Sequence, residues 1–162
     1  MELVRIETEE EIDNCPDLLY YGTYGTKKQK WAIRRKTRDP DACEYFYPAF
    51  PPTESMSREE KREAWKMCVS DYERIEKYGR GELDFFGIRA VAIVKIADSY
   101  HRIATAGLWG IGSDEGDAYI NQVKEEELDI LRIMLEDMGF TKKDIENAMT
   151  ECVGKMHIWR AI

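Results

Sequence analysis

The chain has 162 residues, 43% of them hydrophobic and 35% charged. That composition suits one globular domain with a core and excludes a disordered segment. A formal charge of −8 repels a phosphate backbone on average, which argues against nonspecific nucleic-acid binding and fits a basic partner.

No window approaches the roughly 18 apolar residues of a membrane helix. The start MELVRIETEEEID has acids where a signal peptide needs cations and an apolar run, so a cytoplasmic protein is expected. Cys15, Cys43, Cys68 and Cys152 are scattered, with no C-x-x-C pair. Four reduced, mostly buried thiols are therefore expected, with no structural metal and no cofactor. The Cys152 to His157 spacing falls in a helix whose apolar face needs the cysteine.

In chain order, ELVRI (2–6) predicts a short strand, and TEEEID after it a solvated acidic run. Pro16 disfavours the helical conformation at Cys15 and marks a turn. The aromatic, glycine-spaced LLYYGTYGT precedes KKQKWAIRRKTR (27–38), which holds seven Lys or Arg and no acid. Trp31 and Ile33 alternate with polar neighbours, predicting a half-buried strand with its cations outward. Lys27, Lys28, Lys30, Trp31, Arg34 and Arg35 form a candidate nucleic-acid patch, with cations for phosphate and rings, including Tyr20, Tyr21 and Tyr24, for bases. The competing reading lays this segment against the protein's own acidic helices, and the overall charge favours it. EYFYPAFPP (44–52) predicts the end of a strand and an extended surface loop.

Ser57 and Glu60 match a capping box, opening a helix over 57–78. Its apolar stripe is Trp65, Cys68, Val69, Tyr72 and Ile75, and Gly79 and Gly81 close it. Phe86, Ile88, Ala90, Ala92, Val94 and Ile96 alternate along one strand face. Ala97-Asp98-Ser99 turns the chain, and Tyr100 to Trp109 returns as one partner strand. The segment Gly107–Asp114 (GLWGIGSD) has three glycines but no Walker or dinucleotide pattern. It reads as a tight turn with Trp109 plugged into the core and Ser113 or Asp114 as a cap. Using residues 107–117 as a nucleotide or metal site is the enzymatic alternative, since Asp114, Glu115 and Asp117 lie close together.

A helix over 117–138 buries Ile120, Val123, Leu128, Leu131, Met134, Leu135 and Met138, while Glu125, Glu126, Glu127 and Asp129 crowd one stretch. Gly139 and Phe140 predict a Schellman ending. Thr141 caps a last helix over 141–157 with Ile145, Ala148, Met149, Cys152, Val153 and Met156 inward. His157 is placed at its C-terminus, and the apolar tail IWRAI either docks on the core or meets a partner. The fold expected is α+β, one domain over 1–162. An antiparallel sheet with a central hairpin is packed on one face by about three helices.

Pro16-Asp17-Leu18 with Tyr21-Gly22-Thr23-Tyr24, then Phe86-Gly87-Ile88-Arg89-Ala90, then Gly107-Leu108-Trp109-Gly110-Ile111 with Ser113-Asp114 together resemble an uncharacterised family of small proteins. Its members are encoded by phages, prophages and plasmids. The likeness runs from about Asn14 to Phe140, with the helix after Phe140 as an extension. Ala106 and Gly112 depart from it, standing where a glycine and an acid are expected. The resemblance implies a mobile-element context and transfers no catalytic residues.

For function, no serine elbow and no helix-borne metal motif is present, and His101 and His157 stand alone in sequence. From Ser113 to Glu151 there are twelve Asp or Glu against four Lys or Arg. The reading adopted is a non-enzymatic protein that binds a host protein through Asp114, Glu115, Asp117, Glu125, Glu126 and Asp129. These acids would mimic a phosphate backbone and act as an inhibitor.

Overall fold

The computed structural model of the chain describes residues 1–36 and 42–155, with side chains through Met149. Thr37 and Arg38 at the end of the basic segment, Met156, His157 and the tail lie outside the described residues, as do the side chains of Cys152 and Val153. In order, the elements are β1 (Glu2–Ile12), a single 3-10 turn (Leu18–Tyr20), β2 (Gly22–Gly25), β3 (Ile33–Arg34), β4 (Tyr45–Pro48) and α1 (Arg58–Gly79). Then follow β5 (Phe85–Ile96), β6 (Ser99–Ala104), β7 (Leu108–Gly112), α2 (Asp117–Asp137) and α3 (Lys142–Lys155). Antiparallel sheets packed with three helices make an α+β fold, as the periodicities predict. The chain forms two compact units: Met1–Asn14 with Phe85–Ile162, and Cys15–Asp84. No helix among the described residues is long and apolar enough to cross a membrane.

In the first unit β5 is the central strand. It pairs with β1 along one edge, and with β6 and then β7 along the other. Ile88, Ala90, Ala92 and Val94 are fully buried on the helix side. Ala90, Ala92 and Val94 meet Ile6, Leu131, Leu135, Phe140, Ile145 and Ala148 in one core, and Ile88 packs with Ile111 and Val123 in a second cluster. Ala90 and Ala92 have little volume, so the helix side chains fill the space above them. Phe140 closes the layer through the Schellman ending. Its amide donates to Leu135 O at 3.1 Å and that of Gly139 (φ 95°) to Glu136 O at 2.9 Å.

Several expectations change here. The strand does not stop at Ile6: the acidic run, partly solvated as expected, forms the second half of β1, with Ile6 and Thr8 on one face. Glu9 and Glu11 project from the other face onto Arg89, whose Nε and Nη2 lie 3.2 and 2.7 Å from them. Burial pushes the Glu9 carboxyl up, but hydrogen bonds from Arg102 and Arg89 outweigh it and hold it below the ordinary value. The return strand is not continuous: it breaks at residues 105–107 into β6 and β7. Trp109 is not in the core; it is 41% exposed and lies on Gly87, where an added Cβ would fall 2.4 Å from its ring. Met138 is likewise exposed, and Glu127, grouped with the surface acids, is buried. Gly116 precedes α2 without a side-chain cap, so neither Ser113 nor Asp114 caps it.

The break is bridged by Thr105. Its amide donates to Ala90 O at 3.0 Å, and its hydroxyl accepts from the Ala90 amide at 3.0 Å. That hydroxyl donates in turn to the buried Glu127 carboxylate of α2. A side chain thus stands in for the missing rung of the ladder.

In the second unit β2, β4 and β3 form a small antiparallel sheet, and α1 packs against β4. Phe46 is its buried centre, with the Tyr24 and Tyr72 rings each 5.5 Å away. The capping box is present: Ser57 N donates to Glu60 Oε2 at 2.7 Å and Glu60 N to Ser57 Oγ at 3.3 Å. The described part of the basic segment is mostly irregular, with a turn at Lys30 and Trp31; only Ile33 and Arg34 form a strand, paired with β4. Of the three described cysteines only Cys68 is buried, since Cys15 falls in the exposed turn before Pro16.

Candidate functional site

Charge is segregated between the units. The first carries 19 Asp or Glu against 10 Lys or Arg, the second 13 against 14. The excess of acid that defines the whole chain therefore belongs to the first unit alone.

Asp114 is exposed and Glu115 half-buried in the turn after β7, where Glu115 N donates to Gly112 O at 3.0 Å. Asp117 opens α2. Glu125, Glu126 and Asp129 are exposed on that helix, and their three- and four-residue spacing puts them on one face. Glu126 accepts from Gln122 Nε2 at 2.8 Å, and Asp129 pairs with Arg132. Asp117, Glu125 and Glu126 have no ion-pair partner among the described residues. Lys124, the nearest cation, is drawn away to Glu10 at 2.6 Å.

Residues 107–117 do not fold as a phosphate cradle. Leu108 and Ile111 pair with β5. Gly107, at φ 80°, is needed because a Cβ there would lie 2.8 Å from Ile88 O. Among the described residues no three His, Cys, Asp or Glu side chains are placed to hold a metal ion, so Asp114, Glu115 and Asp117 do not converge.

The basic candidates separate into engaged and available cations. Arg35 is half-buried: its Nε lies 3.0 Å from Glu76 Oε1, its Nη1 donates to Cys43 O at 3.2 Å, and its guanidinium stacks 4.3 Å from the Tyr24 ring. Arg34 pairs with Glu44 at 2.8 Å. Arg35 ties the second unit together, while the Arg34 pair is exposed. Lys27 and Lys28 are exposed, and the Lys27 backbone is pinned by the Tyr47 hydroxyl, which accepts from its amide at 3.1 Å and donates to its carbonyl at 2.6 Å. Lys30 pairs with Glu54, and its Nζ lies 5.9 Å from the Trp31 ring centre.

Trp31 meets Trp65 of α1, with ring centres 5.6 Å apart and planes at 44°. Beside them is an open groove of about 540 Å³ lined by Trp31, Arg58, Glu59, Lys61, Arg62 and Trp65. Trp65, Arg58, Lys61 and Arg62 were not among the residues expected from sequence. The signal was there: offsets of three, four and seven from Arg58 put all of them on one side of a helix.

Burial, with the Glu76 carboxylate beside its hydroxyl, pushes Tyr24 up to about 12. An unfolded tyrosine ionises near pH 10, so the fold holds this proton more tightly than the unfolded chain does. Stability from Tyr24 is full below about pH 10 and is lost as pH rises toward about 12. Tyrosinate absorbance should show one late-ionising tyrosine that disappears in Tyr24→Phe. If the tyrosine lost in the variant is instead one that ionises near pH 10, the hydrogen bond to Glu76 is not formed.

Comparison with known proteins finds no matching family model, no matching curated protein and no matching solved structure.

Proposed function

We propose that the protein is a non-enzymatic binding module that engages a basic, nucleic-acid-binding surface of a host protein in the host cytoplasm and inhibits it. The observation that carries this reading is the exposed carboxylate face of α2. Glu125, Glu126 and Asp129 stand on a helix whose opposite side is locked by Val123, Leu131 and Leu135. Successive turns of that helix rise about 5.4 Å, so the carboxylates form a fixed array rather than a mobile acidic tail. A rigid array of like charge steers a basic partner into register and loses little entropy on binding. The resemblance to mobile-element proteins supplies the setting in which occupying a host surface is useful.

The test is capture of a partner by the tagged protein from nuclease-treated host lysate, followed by binding measurements with that purified partner. Glu125→Lys, Glu126→Lys and Asp129→Lys in one chain should weaken binding by about tenfold or more. Thermal stability should barely change, because all three side chains are exposed. Raised salt should weaken the native complex toward the same level. A captured partner that binds the triple variant as tightly as the native chain would sink the proposal.

A further inference from the structure

The groove beside Trp31 and Trp65 is built from groups that the acidic-face reading does not use, and we infer that it is a binding site for single-stranded nucleic acid. The tryptophan rings stack on bases, while Arg58 and Lys61 hold the adjoining phosphates.

Trp31 sits at φ 63°, a left-handed conformation that bulky side chains rarely adopt. Its backbone is held there by the turn that closes with Ala32 N donating to Gln29 O at 3.2 Å. The outcome is an indole set against Trp65 at the edge of the groove, half-buried and not sunk in the core. From the other wall α1 supplies its cations at helical spacing. Arg58 has no ion-pair partner among the described residues, and Lys61 donates to the Glu54 carbonyl at 3.2 Å and, after Lys30, helps hold the Glu54 carboxyl below its ordinary value. Arg62 is engaged with Glu59 and Glu63. Arg58 therefore remains for an anionic ligand, with Lys61 beside it on the same helix face, next to two aromatic rings.

Size and charge narrow the ligand. About 540 Å³ lies within the range of about 300–1,000 Å³ that holds small organic groups, room for a nucleotide unit. Lys27 and Lys28, exposed just before the Trp31 turn, extend the cationic path and so favour a strand over a free nucleotide. Residues 27–36 contain six Lys or Arg and no acid. A duplex hides its base faces, so only an unpaired strand can use the rings. The phosphates would be held by these cations through ion pairing, so binding should be moderate and strongly salt-dependent.

The experiment is fluorescence anisotropy of the full chain with a labelled oligothymidylate, at about 50 and about 200 mM salt. A duplex of the same length and free thymidine monophosphate serve as competitors. Binding at the lower salt, competition by unlabelled single strand, and weak competition by duplex and mononucleotide are expected. Trp31→Gly removes the ring at a position where glycine is at ease, so the fold persists and affinity falls about 5- to 150-fold. Arg58→Ala should lower the slope of log affinity against log salt by about 0.7, the effect of one lost phosphate contact. A merely structural arginine would leave that slope unchanged. No binding at the lower salt, a preference for duplex, equal competition by the mononucleotide, or full affinity in folded Trp31→Gly would each overturn the assignment.

Discussion

Thr105→Val should lower the free energy of unfolding by about 2–5 kcal/mol, a large loss for a change that keeps the side chain's shape. The hydroxyl serves two buried groups at once: it accepts from the Ala90 amide at 3.0 Å and donates to Glu127. Valine leaves both without a partner, and each buried orphan costs about 1–3 kcal/mol. Thr105→Ser keeps the hydroxyl and should cost only about 1 kcal/mol for the lost methyl. Glu127→Leu removes the carboxylate but leaves the Thr105 hydroxyl without its acceptor, so it too should be destabilising, by about 1–3 kcal/mol. The double change should then cost less than the sum of the single ones, since the two residues act on one network. Urea unfolding of the four variants measures all of this. If Thr105→Val unfolds within about 0.5 kcal/mol of the native chain, the bridge across the β6–β7 break is not a structural bond.

What sequence could and could not reveal follows from the range of the interactions. Local rules succeeded: the Ser57–Glu60 box, the Gly139–Phe140 ending and the alternation of Ile88 to Val94 each involve neighbours in the chain. The length of β1 was hidden because its outward residues are acids whose partners, Arg89 and Arg102, come about 80 residues or more later. The break at Thr105 was hidden for a similar reason. Nothing local distinguishes a threonine that completes a ladder from one that simply lies in a strand. Glu127 was legible in principle. It continues the series Ile120, Val123, Leu131 at three- and four-residue steps, although a charged side chain between other acids points outward by composition.

The candidate sites were less legible than the fold. Of the six candidate acids five are exposed and Glu115 is half-buried; which of the helix acids already have partners depends on Arg132 and Gln122, and so on helix phase. On the basic side, Arg35 is structural because Glu76 of α1 reaches it, whereas Arg34 meets Glu44 only in an exposed ion pair. Trp31 acquired its neighbour Trp65 only through the fold, across 34 positions of chain. Composition can show that cations and rings are present. Tertiary structure decides which remain available.

Helix phase is also what the second large prediction tests. Leu131 is fully buried beneath α2, whereas Ile133, two residues on, is 63% exposed. Leu131→Ala should cost about 2–5 kcal/mol, the loss of transfer energy plus a cavity against Ala90, Ala92 and Leu135. Ile133→Ala should fall within about 0.5 kcal/mol of the native chain. The comparison bears on function, because α2 places Glu127 inward and Glu125, Glu126 and Asp129 outward by the same rotation. A helix turned by one residue, about 100°, would bury Glu126 in place of Glu127 and dismantle the proposed carboxylate face. Equal losses at the two sites in chemical unfolding would show that the face is not set as described. A loss confined to Leu131 fixes the phase and leaves those three acids on the outside of the helix.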